Sequence, residues 1–188
     1  MTVKICGIRD AATGRAALDL GADWIGAVLA EGPRHVSGRE AAELARALPG
    51  RVVAVLRGPP PDDRAFWELP WGGLQVYDAP QSAWIDEARR RGFLTIQPGA
   101  PEGERGAAAV YLLEGRPGRG EALPWEQIDR PPRPYWLAGG LTPDNVLGAV
   151  RQLLPDGVDV SSGVESSPGH KDLDLVARFI KEVRSWSG

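Results

Sequence analysis

One thiol, one arginine fork, two carboxylates and two loops of small residues are the parts of this chain that could do chemistry. Cys6 is the only cysteine among 188 residues. A thiolate serves as a base or nucleophile when positive charge or backbone N–H groups lower its pKa from about 8.5. The plainer reading is a small buried apolar side chain, which is how most free cysteines behave. Arg34, within Gly32-Pro33-Arg34-His35-Val36-Ser37, carries a planar guanidinium that grips a carboxylate through two parallel bonds, which lysine cannot do. Its plain reading is a solvated loop arginine, and His35 beside it reads as surface. Gly139-Gly140 ahead of Thr142-Pro143, and Ser161-Ser162-Gly163 after an apolar run, offer backbone N–H groups to an anion such as phosphate. Two such loops in consecutive units are a stronger sign than one Gly-Gly turn. Glu114 and Asp159 lie at or near the ends of expected strands, where a carboxylate is either chemical or bonded to nearby backbone.

Composition removes several classes of function. With 43% apolar and 25% charged residues, the chain has the make-up of an ordinary globular protein. A net charge of −3 argues against a basic nucleic-acid footprint. The run Arg89–Arg91 reads as a helix end, where positive charge complements the helix dipole. No apolar run approaches the roughly 18–20 residues needed to cross a bilayer. The N-terminus has neither the apolar stretch nor the small-residue cleavage site of a signal peptide, so the expected location is the cytoplasm. One cysteine excludes an intrachain disulfide, and His35 and His170 alone make a histidine-based zinc site improbable. Of 22 basic residues only Lys4, Lys171 and Lys181 are lysines, which leaves chemistry that requires lysine few places to live.

Short β-rich runs alternate with helical patterns from end to end. Strands are expected at Val3–Cys6, Asp23–Leu29, Arg51–Leu56, Gly73–Val76, Phe93–Gln97, Ala109–Leu113, Tyr135–Ala138 and Val158–Ser161. Asp10 caps a first helix that Gly21 ends, and Ser37-Gly-Arg-Glu40 forms a capping box for a second. Asp62–Leu69 reads as a short helix, and Gln81–Arg91 as one closed by Gly92. Thr142-Pro143 opens a helix through Leu153, and Leu173, Val176, Ala177, Ile180 and Val183 share one face of the last. Pro98–Gly106 and Glu114–Pro124 are too rich in Gly and Pro for confident helices, and Trp125–Ile128 is at most one helical turn. Such alternation implies a parallel sheet covered by helices, either closed as a barrel or doubly wound. A barrel usually needs at least about 200 residues, so this one must shorten its connections. One domain over residues 1–188 is expected.

The resemblance that selects between these is specific and collinear. Lys4-Ile5-Cys6-Gly7-Ile8, Leu137 to Val146 through Ala-Gly-Gly-Leu-Thr-Pro-Asp-Asn, and Val158 to Glu165 with Pro168-Gly169 and Lys171 resemble segments of phosphoribosylanthranilate isomerases. The segment around Arg34 is similar to the one after that family's second strand. The resemblance implies an α/β fold, a compact (β/α)8 (TIM) barrel with shortened helices and loops around the fifth and sixth units. It implies an Amadori rearrangement in tryptophan biosynthesis. A general acid opens the ribose ring to a Schiff base, and a base removes the C2′ proton. No cofactor or metal is implied. By the same resemblance Cys6 is the base and Arg34 holds the anthranilate carboxylate. Gln75 and Asp159 contact substrate, the latter at the sugar hydroxyls. Gly139, Gly140, Ser161, Ser162 and Gly163 bind phosphate.

Two positions depart from the family pattern. The acid is an aspartate ending the sixth strand, where this chain has Glu114; burial could raise its pKa to a useful value. Gln-Leu-His-Gly on the fourth strand is here Gln75-Val76-Tyr77-Asp78, and Tyr77 could stack on substrate, donate its hydroxyl, or be an ordinary strand aromatic. The expected partner is therefore a small phosphosugar, with no nucleic acid or membrane, acting on a monomer or homodimer. Lysine-dependent phosphosugar barrels fit poorly, because Lys4 alone lies on an expected strand. The related histidine-pathway isomerase resembles the chain in chemistry but uses an aspartate where Cys6 stands. A non-catalytic phosphosugar-binding barrel is the alternative that Glu114 and Tyr77 motivate.

Overall fold

The computed structural model describes residues 1–78, 82–99, 108–114, 128, 130 and 134–186. Eight parallel strands close into a barrel in sequence order: β1 (Thr2–Cys6), β2 (Trp24–Val28), β3 (Val52–Arg57), β4 (Gly73–Tyr77), β5 (Leu94–Pro98), β6 (Val110–Leu113), β7 (Tyr135–Leu137) and β8 (Gly157–Val160). Between them run α1 (Ala11–Asp19), α2 (Gly38–Ala47), α3 (Arg64–Trp67), α4 (Ser82–Arg90) and α5 (Val146–Leu153), with α6 (Leu173–Arg184) at the end. The first strand pairs with the last, Lys4 standing beside Asp159 and Ile5 beside Val160.

Alternation along each strand sorts the apolar residues into two layers, because successive side chains point to opposite faces. Cys6, Val53, Val55, Ile96, Val110, Leu112, Trp136 and Ala138 pack together, with Tyr77 against them; they fill the barrel. Their neighbours Val3, Ile5, Ile25, Val52, Ala54, Leu74, Leu137 and Val158 face outward onto the helices. Lys4 shares the inward parity of Cys6, and Gln75 that of Tyr77.

Local chemistry sets most boundaries. Asp10 accepts from the Thr13 amide at 2.8 Å and starts α1, and Ser37 and Glu40 make the reciprocal capping box of α2. Asp63 caps α3, which shrinks to one turn. Helix α5 starts later than the sequence suggests. The Asn145 side chain accepts from the Thr142 amide at 2.7 Å and donates to Gly140 O at 2.9 Å, tying Thr142–Asn145 into a separate turn. The eighth strand ends at Val160, one residue short of expectation, and Ser161 leads into a 3-10 turn at Ser162–Val164. A small antiparallel pair, β9 (Glu165–Ser167) and β10 (His170–Lys171), follows and adds to the eight expected strands. The expected helix start at Gln81 and most of the Gly- and Pro-rich stretches 98–106 and 114–124 lie outside the described residues, as does most of the turn expected at 125–128.

Candidate active site

The C-terminal end of β1 carries the thiol. Cys6 lies inside the barrel two residues beyond Lys4, and a side chain at Gly26 opposite would sit 2.8 Å from the Cys6 sulfur and 3.2 Å from Lys4 Nζ. Lys4 is 0% exposed and Asp159 6%, and they form an ion pair of 2.8 Å across the seam where the barrel closes. Burial works against the Lys4 ammonium, but Asp159 and Cys6 outweigh it and hold its pKa above the usual lysine value. The sequence leads one to ask for a cation that depresses the thiol. Lys4 and Lys171 both act in that direction, yet burial outweighs them and the Cys6 thiol stands above its ordinary value.

Glu114 follows β6 and shares the inward parity of Leu112. Burial raises its carboxyl to about 7, with Asp159 adding to the rise and Tyr77 and Lys4 opposing it. Among the described residues its Oε1 is buried with no hydrogen-bond partner, as are Gln75 Oε1 and Asp159 Oδ1. Buried polar atoms left unpaired cost about 1–3 kcal/mol each, so three of them in one barrel interior mark a place shaped for a polar ligand. Gln75 Nε2 donates to the Tyr77 hydroxyl at 3.0 Å. Burial and Glu114 push the Tyr77 phenol far up, so it acts as a hydroxyl donor and never as a phenolate.

Arg34 reaches the same end of the barrel. Its stem packs on Gly7, where a Cβ would lie 2.7 Å from Arg34 Cδ; Gly7 also has φ of +79°, a conformation that favours glycine. The two-toothed grip expected of Arg34 exists, but its occupant is Glu165, with Nε and Nη2 each donating at 2.8 Å. Lys171, 1% exposed, donates to Glu165 Oε1 at 2.7 Å and to Ser161 O at 3.0 Å. Burial works against Glu165, but Arg34 and Lys171 hold it below the usual carboxylate range.

The two small-residue loops are neighbours. Gly139 and Gly140 take φ of 82° and 64°. A Cβ on Gly163 would fall 1.8 Å from Leu141 O, so this glycine lets the loops after β7 and β8 touch. Ser161 Oγ donates to Cys6 O at 3.1 Å, tying the second loop to β1. The Thr142 amide is already engaged, donating to Asn145 Oδ1 at 2.7 Å. A groove of about 300 Å³ bounded by Arg9, Asp10, His170 and Lys171 opens beside this cluster. Cys6 and Glu114 do not line it.

The barrel thus gathers Cys6, Gln75, Glu114 and Asp159 inside and Arg34, Gly139, Gly140, Ser161, Ser162 and Gly163 in the loops at its rim. Sequence reasoning left the role of Tyr77 open and gave Lys4, Glu165 and Lys171 no part beside the candidate site residues. For Lys4 the signal was present: a lysine inside an apolar strand, on the same face as Cys6. Glu165 and Lys171 could not be paired with Arg34 before the chain between them was folded. Among the described residues, no group of three or more His, Cys, Asp or Glu could hold a metal, and no helix is long and apolar enough to cross a membrane.

The family model for N-(5′-phosphoribosyl)anthranilate (PRA) isomerase matches residues 101–182. The N-(5′-phosphoribosyl)anthranilate isomerase of Paracoccus denitrificans is 36% identical, over 96% of this chain and 95% of its own length. The crystal structure of phosphoribosyl anthranilate isomerase from Thermus thermophilus has a TM-score of 0.80 at 32% identity, covering 98% of this chain and 99% of that one. A phosphoribosyl anthranilate isomerase solved in complex with reduced 1-(o-carboxyphenylamino)-1-deoxyribulose 5-phosphate has a TM-score of 0.71 at 26% identity, covering 99% and 100%. With near-complete overlap in sequence and in fold, the chain belongs to the N-(5′-phosphoribosyl)anthranilate isomerase family.

Proposed function

We propose that this chain isomerises N-(5′-phosphoribosyl)anthranilate to 1-(2-carboxyphenylamino)-1-deoxyribulose 5-phosphate, with Glu114 as general acid and Cys6 as general base. The observation that carries the reading is Glu114, a buried carboxyl poised at about 7 in the barrel that also holds the thiol. An acid with a pKa near neutrality is protonated often enough to donate, and acidic enough to transfer its proton readily. Its proton goes to the ribose ring oxygen as the C1′–O bond breaks, leaving a cationic Schiff base. That new positive charge favours the Cys6 thiolate, as any nearby cation does. The raised thiol therefore passes its proton to the Glu114 carboxylate that the first step leaves behind, and becomes a base when the intermediate needs one. Cys6 takes the C2′ proton, and the enolamine tautomerises to the ketone.

Asp159, whose Oδ1 has no partner among the described residues, receives sugar hydroxyls, and Gln75 lines the chamber. Arg34 takes the anthranilate carboxylate, either through its remaining N–H groups or by exchanging Glu165 for it. Phosphate lies between Gly139-Gly140 and Ser161-Ser162-Gly163, held by main-chain donors. The enzyme is proposed to be one catalytic domain over residues 1–188, working in the cytoplasm as a monomer or homodimer.

The test is a turnover assay on freshly generated substrate. Cys6→Ser keeps size but loses acidity, and Glu114→Gln keeps shape but loses the proton. Each should lower kcat by on the order of 10²–10⁴, with little change in affinity for the reduced product analogue. A serine variant with near-normal turnover removes Cys6 from the mechanism. Wild-type protein that binds the analogue but turns nothing over would favour the non-catalytic binding barrel, which the Glu165-occupied fork of Arg34 would suit.

A further inference from the structure

The hairpin of β9 and β10 lies outside the barrel sheet, and its charged residues close on the loop after β2. Lys171 stands opposite Glu165 across the hairpin, and its Nζ donates to Glu165 Oε1 at 2.7 Å and to Ser161 O at 3.0 Å. Glu165 in turn accepts from Arg34, Nε on Oε1 and Nη2 on Oε2, each at 2.8 Å. The backbones meet as well. Gly169, between the two strands with φ of +83°, lies so close to the arginine loop that a Cβ there would fall 2.5 Å from Pro33 O. The Lys171 side chain is 1% exposed and that of Glu165 5%, while Arg34 keeps 21%. The carboxylate is enclosed, and the guanidinium is open on one side.

An arginine carries five N–H donors in one plane, enough for two forks. Glu165 takes the side fork, Nε with one hydrogen of Nη2. The end fork, Nη1 with the other hydrogen of Nη2, has no partner among the described residues. We propose that Glu165, braced by Lys171, is the positioning residue for Arg34, fixing the side fork so that the end fork is presented to the carboxylate of the ligand's anthranilate ring. The identity of that ligand rests on the isomerase reading. Glu165 stays in place when the ligand binds, because leaving Arg34 would strand an enclosed carboxylate with one cation, and breaking a buried pair is costly. The arginine stem is confined too, since a Cβ on Gly7 would lie 2.7 Å from Arg34 Cδ and 3.2 Å from Ser161 Oγ. Two cations share one carboxylate in this cluster, and the surplus positive charge is left for the ligand.

Glu165→Asp keeps every charge and shortens only the reach, so it reads geometry alone. Calorimetry compares two probes, the reduced product analogue and the same compound without its ring carboxylate. Wild-type protein should prefer the first by on the order of 10–100-fold, the worth of a charge-assisted fork. Glu165→Asp should cut that preference to within about threefold, by weakening the carboxylated probe and leaving the other within about twofold. In turnover it should raise KM and leave kcat within about threefold. Arg34→Gln should lose the same preference, and adding Glu165→Asp to it should cost nothing further. Equal weakening of both probes would make Glu165 a support of the fold and overturn the proposal. Tighter binding of the carboxylated probe by Glu165→Asp would also overturn it, since Glu165 would then be a competitor that the ligand must displace. If the preference and its loss are seen while wild-type protein turns nothing over, the positioning role stands and the isomerase reading falls.

Discussion

Glu114 has a thermodynamic cost that separates chemistry from folding. Its carboxyl stands near 7 in the folded chain, raised by burial, against about 4.3 for an exposed glutamate. The native state therefore holds a proton that the unfolded chain releases between these values. Stability is fully present below about pH 4 and falls as pH rises through 7. By the same linkage, Glu114→Gln should leave stability nearly unchanged at pH 4 and raise it at pH 8 by up to about 3 kcal/mol. Urea unfolding at the two pH values measures this. A variant equally destabilised at both would mean that the folded carboxyl is not raised. The residue proposed as the acid would then weaken the fold, as is common where an active site holds an unsatisfied group.

At the scale of elements, the rim is built by side chains that bind loops to one another. Asn145 bridges the Thr142 amide and Gly140 O, holding the turn after β7 in the shape that brings Leu141 against Gly163. Asn145→Ala should lower stability by about 1 kcal/mol, the value of a turn- or cap-type side chain. It should also raise KM several-fold while leaving kcat within about twofold, if the turn has the proposed part in phosphate binding and none in proton transfer. Steady-state kinetics reads this directly. A fall in kcat with KM unchanged would place the turn in the chemistry instead. Gly163→Val is a poorer probe of phosphate binding, since its side chain would strike Leu141 O before any ligand.

For the whole molecule, the decisive event is closure of β1 onto β8, which joins Lys4 to Asp159 across the length of the chain. Helix α6 covers that seam with Val176, Phe179, Ile180 and Val183 buried. From its C-terminal end, Arg184 reaches Gly21 O at 2.9 Å, Asp23 Oδ2 at 2.8 Å and Met1 O. Phe179 is 0% exposed, and Phe179→Ala should cost about 3–5 kcal/mol. Folded variant protein at low temperature should keep near-normal kcat, because the cavity lies outside the barrel wall. A thermal melt and an assay on one sample test both statements. Lost turnover in fully folded protein would show that the outer layer tunes the site.

The sequence by itself determined the strands, the caps at Asp10 and Ser37, and the places of Cys6, Glu114 and the two glycine loops along the chain. These depend on periodicity and on contacts within a few residues, which are written locally. It could not tell that α5 begins at Val146, because the Asn145 side chain competes with a Thr-Pro start and wins by bonding back to the loop. Nor could it tell that Glu165 fills the fork of Arg34, 131 residues away, or that a lysine and an aspartate meet behind the thiol. Burial and pairing of charges are set by what lies across the barrel. Only closure of the sheet brings those partners together, and with them the protonation states on which the chemistry depends.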